Sequence, residues 1–250
     1  MPSTLHFERH VPLEGCFNFR DLGGYRTSDG RWTRPQLLYR ADGPHALTAV
    51  DVNNLAHMGI ATVIDLRTTS EVEQRGCYSA VISDVVEYHL PMIDVLPDTD
   101  ELPGWVDPAI VAGRYREMLD EGEDVIAEVL AILSDPIAYP AVFHCSAGKD
   151  RTGIIAAVIL GLLRVPDDTI IADYALSEAP MTRLVEHYKR QYPDATEQLE
   201  RLAPAMVASH PNAMTGFIDG IRRDYGGFAA YATAIGVGKA PGLLRTALLT

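Results

Sequence analysis

The residues best suited to chemistry lie in one stretch, HCSAGKDRTG, from His144 to Gly153. An apolar run, AYPAVF, precedes it, and another, IIAAVILGLL, follows it. A loop between a strand end and a helix N-terminus presents N–H groups without intrahelical partners. Together with the positive end of the helix dipole these form an anion site. Gly148 supplies torsions that a β-carbon would hinder. Arg151 adds a fork of donors suited to two phosphate oxygens at once. A thiol placed there is favoured as thiolate, and a thiolate beneath a bound phosphate is a nucleophile aimed at phosphorus. The spacing Cys145-x5-Arg151 lets the loop curl with sulfur at its floor and guanidinium at its rim. The chemistry expected is phosphoryl transfer to sulfur, then hydrolysis of the thiophosphate. Ser146, Ala147, Gly148, Lys149, Asp150 and Arg151 would hold the phosphate oxygens. His144 is expected to orient the loop or tune the thiolate. Thr152 is expected to hydrogen-bond the sulfur or help the thiophosphate leave.

Cleaving a phosphate ester also needs a proton for the leaving oxygen. Asp94, Asp98, Asp100 and Asp107 share one loop, and Asp150 sits inside the signature. Asp94 directly follows a strand and Asp150 adjoins the phosphate, so both stand as candidates. The other loop carboxylates read as a solvated acidic face. Asp65 and Arg67 end the VIDLR run on the ligand side of the sheet and read as an internal ion pair. Arg20 and Asp21 in NFRDLGG read as a similar structural pair, Gly23 and Gly24 as turn formers, and Arg40 as a supporting group.

These side chains need elements to position them. QLLYRA (36–41), ATVIDLR (61–67), VVEYHLPM (85–92) and AYPAVFHC (138–145) read as strands, and the continuous apolar ones suit a buried parallel sheet. Residues 48–59 read as a helix with Thr48 as N-cap and Gly59 as its stop. Residues 93–108 read as a loop. Residues 109–133 read as helix in two pieces around Gly122, and 152–165 as the helix after the signature. After Pro166 the pattern is helical, with 217–231 as one segment and a short helix near 241–249. The alternation predicts an α/β fold, a mainly parallel central sheet flanked by helices, in one domain of 250 residues.

The signature resembles that of the cysteine-based bacterial tyrosine/serine phosphatases with an HCxxGKDRTG loop. NFRDLGGY (18–25), LLYRAD (37–42), VIDLRTTSEVEQRG (63–76), YHLPMID (88–94) and IIADYALSE (170–178) extend the resemblance over most of the chain. It implies a dual-specificity phosphatase needing no cofactor or metal, with extra C-terminal helices able to act as a lid, here 178–215 by position. It matches Asp94 to the family's acid and leaves the role of Asp150 open. The Lys149–Asp150 pair resembles loops that also accept phosphoinositides. The implied partners are phosphoproteins, phospholipids or small phosphate esters.

Composition narrows the alternatives. A net charge of −13 argues against nucleic acid and against simple adsorption to an anionic membrane. Cys16, Cys77 and Cys145 show no framework or zinc spacing, so reduced thiols are expected. MPSTLHFERH lacks the pattern of a standard secretory signal, and the expectation is cytoplasmic, with export by another route left open. A phosphate-binding pseudoenzyme would share the loop but lack a needed side chain, whereas Cys145, Arg151 and acids are all present. Sulfur or arsenate redox chemistry would need a resolving thiol, and nothing in the sequence places Cys16 or Cys77 beside Cys145, although Cys16 precedes NFRD.

Overall fold

A computed structural model describes residues 8–94, 100 and 102–250. Among these residues five strands form one sheet: β1 (Arg20–Asp21), β2 (Leu38–Ala41), β3 (Thr62–Asp65), β4 (Val86–His89) and β5 (Ala141–His144), in the order β1-β2-β5-β3-β4. Only β1 runs antiparallel. The helices are α1 (Ala49–His57), α2 (Thr69–Arg75), α3 (Pro108–Glu121), α4 (Glu123–Leu133), α5 (Asp150–Leu162), α6 (Asp167–Ala175), α7 (Glu178–Gln191), α8 (Thr196–Val207), α9 (Pro211–Tyr225), α10 (Phe228–Ala234) and α11 (Ala240–Leu248). The architecture is the expected helix-flanked, mainly parallel sheet.

Side-chain alternation along the strands builds two cores. Leu38, Ile64, Ala141 and Phe143 point into the larger one, beneath α3–α6 and α9–α11. Tyr39, Ala41, Val63 and Val142 point into the smaller one, with Leu55 of α1 and Tyr78. Strand β5 lies between β2 and β3, with Ala141 aligned to both Leu38 and Thr62. Cys145 therefore follows the best-supported strand of the sheet. Helix α5 begins inside the signature at Asp150, takes up nearly all of the apolar run IIAAVILGLL that follows it, and is buried almost throughout.

Local sequence explains the starts of α1 and α2. Thr48 accepts from Asp51 N while Asp51 accepts from Thr48 N, a capping box, and Thr68 and Glu71 form a second one. The helix expected over 217–231 is two helices: Gly226 (φ 85°) and Gly227 (φ 118°) take torsions that end α9 and redirect the chain into α10. The loop expected over 93–108 contains a short 3-10 turn at Leu102–Val106, and α3 already begins at Pro108. No helix among the described residues is long and apolar enough to cross a membrane.

Candidate active site

The loop from Cys145 to Arg151 has its polar backbone atoms sorted by direction. The carbonyls are held from outside: Gly43 N donates to Ser146 O (3.0 Å), and Asn18 Nδ2 donates to Ala147 O (3.0 Å) and Gly148 O (3.0 Å). Arg40 Nη2 donates to Gly148 O (2.8 Å) and more weakly to Lys149 O (3.4 Å). None of the amides from Ser146 to Arg151 donates to another group among the described residues. A loop with tethered carbonyls and unpartnered amides is an anion cradle, completed by the start of α5 at Asp150. Gly148 makes the bend, at φ 66°, and a β-carbon there would lie 2.5 Å from Ala41 O. The bend therefore needs glycine both for torsion and for space.

Arg151 is held in a fixed pose. Its Nη1 donates to Glu71 Oε2 (2.7 Å) and its Nη2 to Glu71 Oε1 (2.9 Å), while Ser146 Oγ also donates to Glu71 Oε1. The Arg151 charge, with the Ser146 and Thr68 hydrogen bonds, pulls the Glu71 carboxyl down to about 2 against the opposing effect of burial. The bidentate grip leaves Nε and the outer N–H of the fork for a ligand. Cys145 is buried among the core residues and lies within electrostatic reach of both Arg151 and Arg40.

A profile described as the tyrosine phosphatase family matches residues 11–250. The chain belongs to the tyrosine phosphatase family. It is 29% identical over 247 residues to H16_A0669 of Cupriavidus necator, provisionally named a tyrosine-protein phosphatase, covering 96% of this chain and 85% of that one. It is 27% identical over 265 residues to the triple specificity protein phosphatase PtpB of Mycobacterium tuberculosis, covering 94% and 92% of the two chains. The crystal structure of P. aeruginosa TpbA aligns at a TM-score of 0.29 and 16% identity, covering 74% of this chain and 89% of that one.

In this tyrosine phosphatase the residues read from sequence are distributed as follows. Asp65 and Arg67 form the expected pair, with Nε to Oδ1 at 2.9 Å and Nη2 to Oδ2 at 2.6 Å. His144 is fully buried, with Nδ1 3.1 Å from Cys145 O and Nε2 3.6 Å from Asp65 Oδ2, and burial lowers its basicity. Asp65, Glu87 and His144 cluster closely enough for a metal, but Asp65 is already engaged by Arg67, and Glu87 accepts from the amides of Tyr78 and Ser79.

Four expectations need correction. Arg20 does not pair with Asp21, because adjacent strand residues face opposite sides of a sheet. Its Nε donates to Asp173 Oδ1 (3.1 Å), whereas Asp21 accepts from Gly23 N and Gln36 N. The Lys149 side chain does not point into the cradle: its Nζ donates to Ala205 O, Met206 O and Ala208 O, at 2.9–3.1 Å, at the end of α8. Thr152 Oγ1 is buried with no hydrogen-bond partner, so it makes no bond to the sulfur. Asp107 is not a loop carboxylate but the N-cap of α3, accepting from Ala109 N (2.8 Å).

Among the acid candidates, Asp94 is exposed and makes no hydrogen bond or ion pair among the described residues. Asp150 accepts from Tyr115 OH, which also contacts Tyr174 OH at 2.8 Å. Asp100 lies 3.6 Å from Arg201 of α8. Asp98 lies outside the described residues. Cys16 is buried with its thiol on Asp42 Oδ1 (2.7 Å), and Cys77 contacts Ser79.

Sequence reading missed Glu71, Asn18 and Asp173. Asp173 accepts from both Arg20 and Arg40 Nη1 (2.7 Å) and from Tyr25 OH (2.9 Å), and so braces the two residues that grip the loop carbonyls or their neighbour. Glu71 left a signal in the Thr-x-x-Glu spacing of its capping box, but that pattern announces a helix start rather than a partner for an arginine. Glu71→Gln removes one charge from the grip on Arg151. It is expected to lower kcat/KM for p-nitrophenyl phosphate by about 10- to 100-fold, since misplacing a clamp by an ångström costs that order. A loss below threefold would show that Glu71 does not position Arg151.

Proposed function

We propose that this tyrosine phosphatase hydrolyses phosphate monoesters through a phosphocysteine on Cys145, with phosphotyrosine as the leading substrate. The observation that carries the reading is the cradle: amides free of partners, carbonyls tethered outward, and Arg151 fixed by Glu71 beside a buried thiol. Cys145 Sγ attacks phosphorus as the bond to the ester oxygen breaks. The amides and Arg151 hold the three equatorial oxygens as charge gathers on them. The departing oxygen takes a proton from an aspartic acid. Water then attacks phosphorus, loses its proton to the resulting carboxylate, and returns the thiolate with inorganic phosphate. His144 and the Asp65–Arg67 pair support the loop from below.

The relative named a triple specificity protein phosphatase supports acceptance of more than one class of phosphate ester, and phosphoserine, phosphothreonine and phosphoinositides are the further substrates proposed. Helices α7 and α8 serve as a lid within the single domain. Met181, Leu184 and Tyr188 of α7 pack with Phe17, against Ala147 of the loop and Met206 of α8, and Lys149 latches the end of α8. The enzyme works in the cytoplasm on soluble or membrane-borne phosphate esters.

Acid quench within the first turnover is expected to leave phosphate on the peptide carrying Cys145. Label on another residue, or none during active turnover, would overturn the mechanism. Asp94 is the proposed acid and Asp150 the second reading, on account of its place at the cradle. Asp94→Asn is expected to slow phenyl phosphate hydrolysis at least about tenfold more than that of p-nitrophenyl phosphate, whose leaving group needs little protonation. Equal losses on the two substrates would move the role to Asp150.

A further inference from the structure

The chain is strongly acidic, yet one cavity of about 300 Å³ is walled by Arg9, His10, Asn18, Arg20 and Arg183 beside the first turns of α7, with no carboxylate in its lining. Asn18 belongs to its wall and holds the outer, carbonyl edge of the Cys145–Arg151 loop. The cavity is therefore separate from the amide-lined cradle.

Arg20 is paired with Asp173, and Arg9 stacks over the Tyr25 ring, but neither Arg9 nor Arg183 has a carboxylate partner among the described residues. Arg9 donates to Gly23 O (3.1 Å) and Gly24 O (2.9 Å), and Arg183 Nη2 donates to Phe17 O (3.0 Å) and contacts His10 Nε2 (3.0 Å). These are neutral acceptors, and Nη1 of each arginine has no partner among the described residues. Asp21 feels the Arg9 charge, but its carboxylate is engaged by the amides of Gly23 and Gln36. Behind them, Arg20 and Arg40 share the single carboxylate of Asp173, leaving one further positive charge uncompensated by an acid. Carbonyls hold the two outer guanidinium groups in place without neutralising them. Two forks on one small cavity suit an acceptor with several terminal oxygens.

We propose that this cavity is a second anion site, which binds a phosphate group other than the one attacked at Cys145, carried by a small soluble phosphate ester or by a lipid headgroup. The volume fits one such group with a few attached atoms, not an extended peptide.

The test begins with enzyme whose cradle is blocked covalently by carboxymethylation of Cys145 with iodoacetate, titrated calorimetrically with inorganic phosphate. One saturable site is expected to remain. Arg9→Gln combined with Arg183→Gln is expected to weaken it at least about tenfold, because charge-assisted bonds are lost, while p-nitrophenyl phosphate hydrolysis stays within about twofold. Should the double variant fail to fold, Arg183→Gln alone weakens binding in the same direction, and Arg183→Lys restores part of it. Soluble inositol trisphosphate and phosphatidylcholine vesicles containing phosphatidylinositol 4-phosphate separate the two sources. Binding of either that is lost in the double variant supports the site. No phosphate binding once the cradle is blocked, or binding that the variants leave intact, overturns it. The calorimetric readout needs no turnover, so it can fail or succeed independently of the catalytic mechanism.

Discussion

Cys145→Ser is expected to abolish turnover of p-nitrophenyl phosphate near pH 6, by about 10⁴-fold or more, as removal of a catalytic nucleophile typically does. Serine keeps the size and polarity of the side chain, so the tethered carbonyls, the free amides and the Glu71–Arg151 grip remain. The variant should still bind phosphate while failing to break the ester. The wild type should work equally well in EDTA, because the proposed nucleophile is the sulfur of Cys145 and the proposed charge stabilisers are amides and a guanidinium. Residual activity above about one hundredth of wild type would place the nucleophile elsewhere. Loss of activity on chelation would assign part of the chemistry to a metal. The first result discards the phosphocysteine, and the second discards the metal-independent mechanism.

The second large effect concerns stability. Asp173 lies buried between Arg20 and Arg40, and the two guanidinium charges hold its carboxyl down at about 2 although burial opposes them. Asp173→Asn leaves two buried arginines without a counter-charge. A broken buried pair of this kind costs about 3–5 kcal/mol, or roughly 10 °C in Tm for a chain of this length. The pH dependence follows from the depressed carboxyl. Its contribution is present above the ordinary carboxylate range near 4 and is lost as pH falls through about 2. The Tm gap between wild type and variant is thus expected to be constant from pH 8 to 5 and to narrow below about pH 4. A gap that persists undiminished at pH 3 would show that the charge of Asp173 is not what stabilises the fold.

Much of this molecule was legible in the sequence because the relevant signals are local. The apolar runs around the signature gave β5 and α5, Thr48 and Gly59 bracketed α1, and Gly122 divided α3 from α4. Cys145, Gly148 and Arg151 were readable because one turn of chain contains them all. What escaped depends on distant pairing. Asp173 reaches Arg20 and Arg40 across more than 130 positions, and Asn18 reaches Gly148 across 130. Lys149 looked like a phosphate ligand because it lies inside the signature loop, but the end of α8 offered it three carbonyls at once. Nothing in a helical pattern beginning at residue 196 announces where its last turn will rest.

The double duty of Glu71 has a further consequence. The same carboxylate closes the first turn of α2, through Thr68 N at 2.8 Å, and fixes the guanidinium of the site. Fraying of a seven-residue helix costs far less than melting the sheet. The enzyme therefore has a local point of failure: gentle heat or denaturant that unwinds the start of α2 lets Arg151 swing free while the core is still intact. Catalytic activity becomes a more sensitive reporter of this corner than any whole-molecule spectroscopic signal, and inactivation runs ahead of unfolding.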